Sequence, residues 1–176
     1  ALTLTLFTDD NNNLLHFNDF QTCGDNKKLW VSGYFNHYIC KTDSTNINLL
    51  INPDHAQFAD YITTPKVYKW PSDTKQYETW DENAIKFSKV RSYSLNGYLG
   101  WLHPVSGGLF KFYNKIIEVN KPANVLSFID VNSDSICWTF FGIEFDSIFM
   151  YPATYHNKSS SISFLDGHVT SKRWKT

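Results

Sequence analysis

The chain lacks most of the devices that mark catalytic and metal-binding proteins. It has three cysteines, Cys23, Cys40 and Cys137, and no C-x-x-C pair. That excludes a zinc ribbon or a thioredoxin-type centre. Three thiols allow one disulfide in three pairings, so cysteine usage leaves the compartment open. No G-x-S-x-G occurs, so there is no nucleophile elbow. No charge excess exists either, with 16 basic against 17 acidic side chains. The only basic cluster, Lys172-Arg173-Trp174-Lys175, is short and reads as a solvated strand end. With no basic stripe, nucleic acid is not an expected partner. No hydrophobic run is long enough to span a bilayer, and there is no charged leader. The chain opens on Ala1-Leu2-Thr3-Leu4-Thr5-Leu6-Phe7, as expected of a sequence that starts inside a longer one.

What is present is apolar and aromatic. Hydrophobic residues make up 42% of 176 residues, enough for a packed core and too many for a disordered chain. Without repeats or low-complexity linkers, residues 1–176 read as one domain. Aromatics reach 17%. Large rings suit pleated, half-buried surfaces and so favour sheet. Exposed rings can also stack on sugars. A secreted carbohydrate- or ligand-binding β-rich module is therefore the competing reading, with Trp80 and Trp101, beside polar loops, as its best platforms.

Leu2, Leu4 and Leu6 alternate with threonine as in a strand, while Leu2–Leu6 and Thr3–Phe7 are also helical neighbours. The Asx run Asp9–Asn13 ends the element either way. Asn52-Pro53 predicts a helix start, with Phe58, Tyr61 and Ile62 on one face and a stop before Pro65. Residues 66–70 are expected as a short strand, 74–89 as a polar loop, and 90–101 as a strand. Residues 110–117 fit a short helix or strand. Val125–Val131 is the strongest strand signal, and 136–143 is another. Short strands with Pro, Gly and Asn punctuation predict an α+β chain with an antiparallel sheet.

The C-terminus carries the most specific pattern. Ser161–Leu165 is a strand run, Asp166-Gly167 supplies a tight turn, and Val169–Trp174 returns, giving a β-hairpin. His156, Asp166 and His168 are the candidate site residues. A base-and-carboxylate reading finds no nucleophile to activate, so no enzymatic activity is expected. A metal reading takes the same residues with Asp130, two imidazoles and two carboxylates that would suit zinc or another transition ion, and Asp134 is a further candidate. Two Asx clusters resemble calcium loops at their start, at Asp9–Asn13 and Asp130-x-Asn132-x-Asp134. In the first, a leucine and Phe20 replace the required glycine and glutamate. In the second, Ser135 and Phe141 do. Turn formation is the plainer role of both, and no cofactor is expected, calcium remaining the one candidate. His156 is expected to fasten the chain ahead of the hairpin by hydrogen bonding to backbone. His156, Asp166 and Gly167 thus form a structural motif.

That motif, a histidine and nine residues followed by Asp-Gly, resembles the prepilin-type processing-associated H-x9-DG domain of proteins similar to type II secretion pseudopilins. Four other stretches, in the family's order, carry the same resemblance. They are Leu6–Asn12; Phe58–Ile62 with Val67–Asp73; Arg91–Gly100; and Pro122–Asp130. Trp70 stands where the family usually has cysteine. The resemblance implies a pilin-like head: the stump of an N-terminal helix packed on an antiparallel sheet with long loops, ending in a β-hairpin. It implies a non-catalytic structural subunit of a type II secretion-like pseudopilus or type IV pilin-like filament. Its partners would be other pseudopilin or pilin subunits, met through a hydrophobic N-terminal helix absent from this sequence. A prepilin peptidase would act on the precursor. The implied location is the bacterial cell envelope, anchored in the inner membrane, with the head in the periplasm or outside the cell.

Overall fold

A computed structural model describes residues 2–25, 27–36, 38–78, 85–102, 110–142, 148, 150–155 and 157–174. Helix α1 (Leu2–Asp10) settles the ambiguous opening as helix. It buries Leu4, Phe7 and Thr8, which share one face at spacings of three and four, and leaves Leu2 and Leu6 outside. The Asx run stops it as anticipated. Asn12 and Asn13 adopt φ of 53° and 62°, and the Asn13 amide donates to Thr8 O at 2.8 Å. Asparagine tolerates this left-handed backbone better than most residues, and such a bond closes orphan helix carbonyls. Tyr61 donates its hydroxyl to Asp10 Oδ2 at 2.9 Å, tying the helix end to the body.

Two short helices follow, α2 (Lys41–Thr45) and α3 (Asn48–Ile51). The helix expected over 53–62 is instead a run of turns. Two of its central amides are drawn elsewhere, Gln57 N to Leu29 O at 2.8 Å and Phe58 N to Trp30 O at 3.3 Å, which interrupts the local ladder. Residues 65–68 form a 3₁₀ turn rather than a strand, with Pro65 pre-setting its first position. Within the expected loop 74–89, β1 (Tyr77–Glu78) pairs antiparallel with β2 (Lys86–Phe87). Tyr77 lies opposite Phe87 and both are buried, so cross-strand aromatic packing outweighs the polar composition around them.

The main sheet contains β3 (Tyr93–Asn96), β4 (Leu126–Asp130), β5 (Phe140–Phe141), β6 (Ser159–Phe164) and β7 (Val169–Arg173). Its order is β5-β3-β4-β6-β7. Every pairing is antiparallel except β3 with β5. The fold is thus α+β with a mostly antiparallel sheet. The strands expected over 90–101 and 136–143 shrink to four and two residues.

Both faces of the sheet are covered at β3 and β4, while β7 is exposed along its length. Leu95 and Phe128, cross-strand partners, point into the larger core with Leu4, Phe7, Trp30, Phe58 and Leu99. Ile129 and Ile162, also partners, point the other way, into a smaller core with Val131, Ile136 and Met150. The larger core also holds His16, fully buried between Phe7 and Phe58, with ring centroids 6.5 and 5.5 Å away. Neither ring nitrogen has a hydrogen-bond partner among the described residues. Gly100 sits directly against it: at φ +68°, a Cβ there would lie 1.6 Å from His16 O. A disulfide joins Cys23 to Cys40, one of the three pairings the sequence allowed, and Cys137 is free. Closing a loop of this length stabilises by ~3 kcal/mol in the chain-entropy view.

Burial holds His16 neutral, its pKa lowered to about 3 from 6.5. The depressed value means its stability contribution is complete above pH 6.5 and is lost as pH falls toward 3. At pH 5 the loss should be about 2 kcal/mol. His16→Leu should remove that slope. Denaturant unfolding of both proteins at pH 7.5 and 5 checks this, and parallel slopes would refute it.

Candidate functional site

The candidate site residues fall at two ends of β4. At its start, Leu126 pairs with Phe164, and Leu165 N donates to Val125 O at 3.0 Å. This brings in the hairpin tip. Gly167 takes φ +93° and its amide donates to Phe164 O at 3.0 Å. His168 stacks on Phe164 with centroids 4.2 Å apart, and its Nδ1 lies 2.6 Å from Asp166 Oδ1. That contact holds the exposed Asp166 carboxyl below its ordinary value. Asp130 is at the other end of β4, about 13 Å along the strand from the level of Phe164. Asp166 and His168 therefore form one group, and Asp130 belongs to another. His156 lies outside the described residues, as does Trp80.

The second group is a buried polar layer. Asp130 is fully buried, and burial followed by the charge of Asp73 pushes its pKa up to about 7. Asp73 Oδ2 accepts from Ser92 Oγ at 2.6 Å. Lys89, also buried, donates from Nζ to the carbonyls of Ser133 (2.8 Å) and Ile136 (3.0 Å) and sits 4.9 Å over the Tyr77 ring. Burial lowers its pKa to about 7. Arg91, buried completely, donates to Tyr93 O, Ser94 Oγ (3.1 Å) and Trp138 O (2.7 Å). Its guanidinium carbon lies 4.6 Å from the Phe35 centroid. Burial lowers its pKa to about 9. Lys89 thus aims its donors at loop carbonyls, and Arg91 divides its own between β3 and Trp138 O, which suits both to shaping 133–138. Cys137 is nearby, and burial raises its pKa, keeping it a thiol.

The oxygen-rich clusters are occupied by local tasks. Asn132 Oδ1 accepts the Asp134 amide at 2.9 Å, and the Asp134 carboxylate lies 2.6 Å from Lys75 Nζ. Asn11 Nδ2 donates to Phe7 O at 2.8 Å as part of the α1 stop. Among the described residues, the one grouping of acidic, histidine or cysteine side chains close enough to share a metal is Cys23, Cys40 and Asp43. Two of those are joined as the disulfide, and Asp43 Oδ2 accepts the amides of Gly24 (3.3 Å) and Tyr34 (3.0 Å). Trp101, offered by its sequence context as a sugar platform, is buried against Phe140, centroids 4.9 Å apart.

Sequence reasoning passed over Lys89 and Arg91. The available signal was weak: two cations flanking Val90 at the start of a strand segment, where a solvated end is the ordinary expectation.

Comparison of the chain with protein-family models, with curated proteins and with solved structures finds no match.

Two outcomes test this site. A raised folded pKa for Asp130 means its contribution is present below about pH 4 and is lost as pH rises through 7. This slope opposes that of His16, so the two partly cancel in the parent protein. Asp130→Asn should gain stability over the parent by about 2 kcal/mol or more between pH 5 and 8, measured by denaturant midpoints. At the tip, a Cβ on Gly167 meets nothing within 4 Å, so backbone strain alone opposes substitution. Gly167→Val should cost on the order of 1 kcal/mol; identical melting curves would count against that account.

Proposed function

We propose that this chain is the globular head of a pilin-like filament subunit, of the type II secretion pseudopilus or type IV pilin-like kind, and that it is structural rather than catalytic. The observation that carries the reading is the two-sided α1. One face, Leu4, Phe7 and Thr8, is buried in the head. The other presents Leu2 and Leu6, 73% and 44% exposed and one helical turn apart. A helix apolar on two sides suits a subunit that leans on its own head and on its neighbours' helices at once. Head-to-tail contacts of that kind build open helical polymers.

Other features agree with this reading. The resemblance to H-x9-DG proteins implies a hydrophobic helix continuous with α1. The mostly antiparallel sheet ends in the hairpin with Asp166-Gly167 at its tip. The Cys23–Cys40 disulfide suits an oxidising envelope compartment. Among the described residues, no helix is long and apolar enough to cross a membrane, so anchoring falls to that upstream helix.

The test uses the product of the whole gene. It should fractionate with the membrane and form multimers that cross-link in cells. Leu6→Glu should abolish the multimers while leaving the melting temperature of the isolated head within about 2 °C, because Leu6 adds little to the head's own core. A full gene product that is aqueous, monomeric and without a hydrophobic segment would refute the reading. A secreted ligand-binding module would then take its place.

A further inference from the structure

Strand β7 leaves one edge of the sheet open. The order β5-β3-β4-β6-β7 puts it outermost, and each of its residues, Val169 to Arg173, is exposed. The opposite edge, β5, is two residues long and buried. An open edge carries unpaired amides and carbonyls, and proteins usually blunt it with a bulge, a proline or a cover. Among the described residues β7 has none of these, and its pairing with β6 is uninterrupted from Val169 to Arg173. Two bonds at the ends of this ladder fix its phase. Phe164 N donates to His168 O at 3.0 Å, and Trp174 N donates to Lys158 O at 2.9 Å. The even-numbered residues of β7 therefore bond inward to β6. The alternation of an antiparallel pair then turns the N–H and C=O of Val169, Ser171 and Arg173 away from β6. None of these groups has a partner among the described residues.

Charge and shape define what would pair there. β7 contains Lys172 and Arg173 and no acid, and neither cation meets a carboxylate among the described residues. Lys172 shares the face of Ile162, while Val169, Ser171 and Arg173 share that of Ser161 and Ser163. The two cations thus flank the edge from opposite faces. Two adjacent acids on an added strand alternate in the same way and would meet both. A second β7 would bring two more cations and no acid. The shape is an aromatic cleft of about 370 Å³ between the sheet and α1. Its floor steps across the sheet in strand order, with Tyr93 of β3, Phe128 of β4, Ser161 and Ser163 of β6 and Val169 of β7. Val169 is 64% exposed and forms the rim at the open edge. A strand added to β7 continues this row, and its side chain beside Val169 lies at the mouth of the cleft. In strand addition, backbone bonds supply affinity and such alternate side chains supply specificity.

We propose that β7 receives an extended, acidic peptide segment of a partner protein as an added strand, with an apolar side chain of that segment seated beside Val169. The site uses neither Leu2 nor Leu6, so its failure would leave the filament reading untouched.

The test titrates the 176-residue chain with the end-blocked peptide Thr-Glu-Glu-Val-Thr-Leu-Thr, followed by amide NMR shifts. Run antiparallel to β7, its glutamates oppose Arg173 and Lys172, its valine Ser171 and its leucine Val169. Saturable shifts should centre on Val169, Ser171 and Arg173. N-methylation of the valine, whose N–H would bond Ser171 O, should weaken binding about 5-fold or more. The same change on the threonine that follows, whose N–H points away from β7, should alter binding less than about 2-fold. Lys172→Glu combined with Arg173→Glu should weaken this peptide at least about 10-fold and admit its analogue with lysine in place of both glutamates. The proposal is overturned by shifts that never saturate, by shifts centred elsewhere, by equal effects of the two methylations, or by a charge reversal that leaves both peptides unaffected. It is also overturned if β7 shifts on raising protein concentration without peptide, which would assign the edge to a second copy of the chain.

Discussion

The arrangement turns on one buried cation. Arg91 stands at the entry to β3, holding Tyr93 O and Ser94 Oγ on its own strand and Trp138 O on the segment that leads into β5. Its flat face lies against Phe35, with Trp30 also close. A guanidinium tolerates burial when most of its donors are met and its plane is stacked; here the two terminal nitrogens are paired, and Nε has no partner among the described residues. Those contacts fix three things together: the start of β3, the approach of the 133–138 loop, and the aromatic wall of the larger core. Lys89, two residues earlier, holds the same loop through Ser133 O and Ile136 O. Loop carbonyls that would otherwise be orphaned thus meet donors in place of water.

With that edge fixed, the sheet serves as a partition. Consecutive residues of β4 feed opposite cores, Phe128 into one and Ile129 into the other. The shift in pairing between Leu126 and Ile129 lets β6 follow a twisted course, and Ser163 Oγ fastens the irregularity through Ser127 Oγ (2.8 Å) and Phe128 N (3.1 Å). A serine that stitches the sheet cannot also supply packing volume. The same economy of bulk on β6 that suits the strand pairing leaves the aromatic cleft beneath α1.

Legibility followed the range of the interactions. The α1 stop and the C-terminal hairpin were readable because Asn12-Asn13 and Asp166-Gly167 act on their own backbone within a few residues. The helix anticipated at Asn52-Pro53 had good local signals, yet Gln57 and Phe58 give their amides to Leu29 and Trp30, almost thirty residues earlier. The β1–β2 pair was hidden in a polar stretch because Tyr77 and Phe87 find each other only across the turn. Candidate site residues divided in the same way. Asp166 and His168 are partners two positions apart, whereas the separation of Asp130 from them follows from where β6 registers on β4.

By itself the sequence determined the class of the chain, its charge balance, and the punctuation of its two ends, since those depend on composition and short-range backbone chemistry. It also placed the strongest strand at 125–131 and left the opening undecided between strand and helix. Tertiary structure decided that opening, because only a docked core distinguishes Leu4 and Phe7 from Leu2 and Leu6. It chose Cys23–Cys40 among three pairings, by bringing their Cα atoms to 5.5 Å. It also buried His16, Lys89, Arg91 and Asp130, whose residue types ordinarily seek water. Burial is a property of what surrounds a side chain, and for these four the surroundings are gathered from distant parts of the chain.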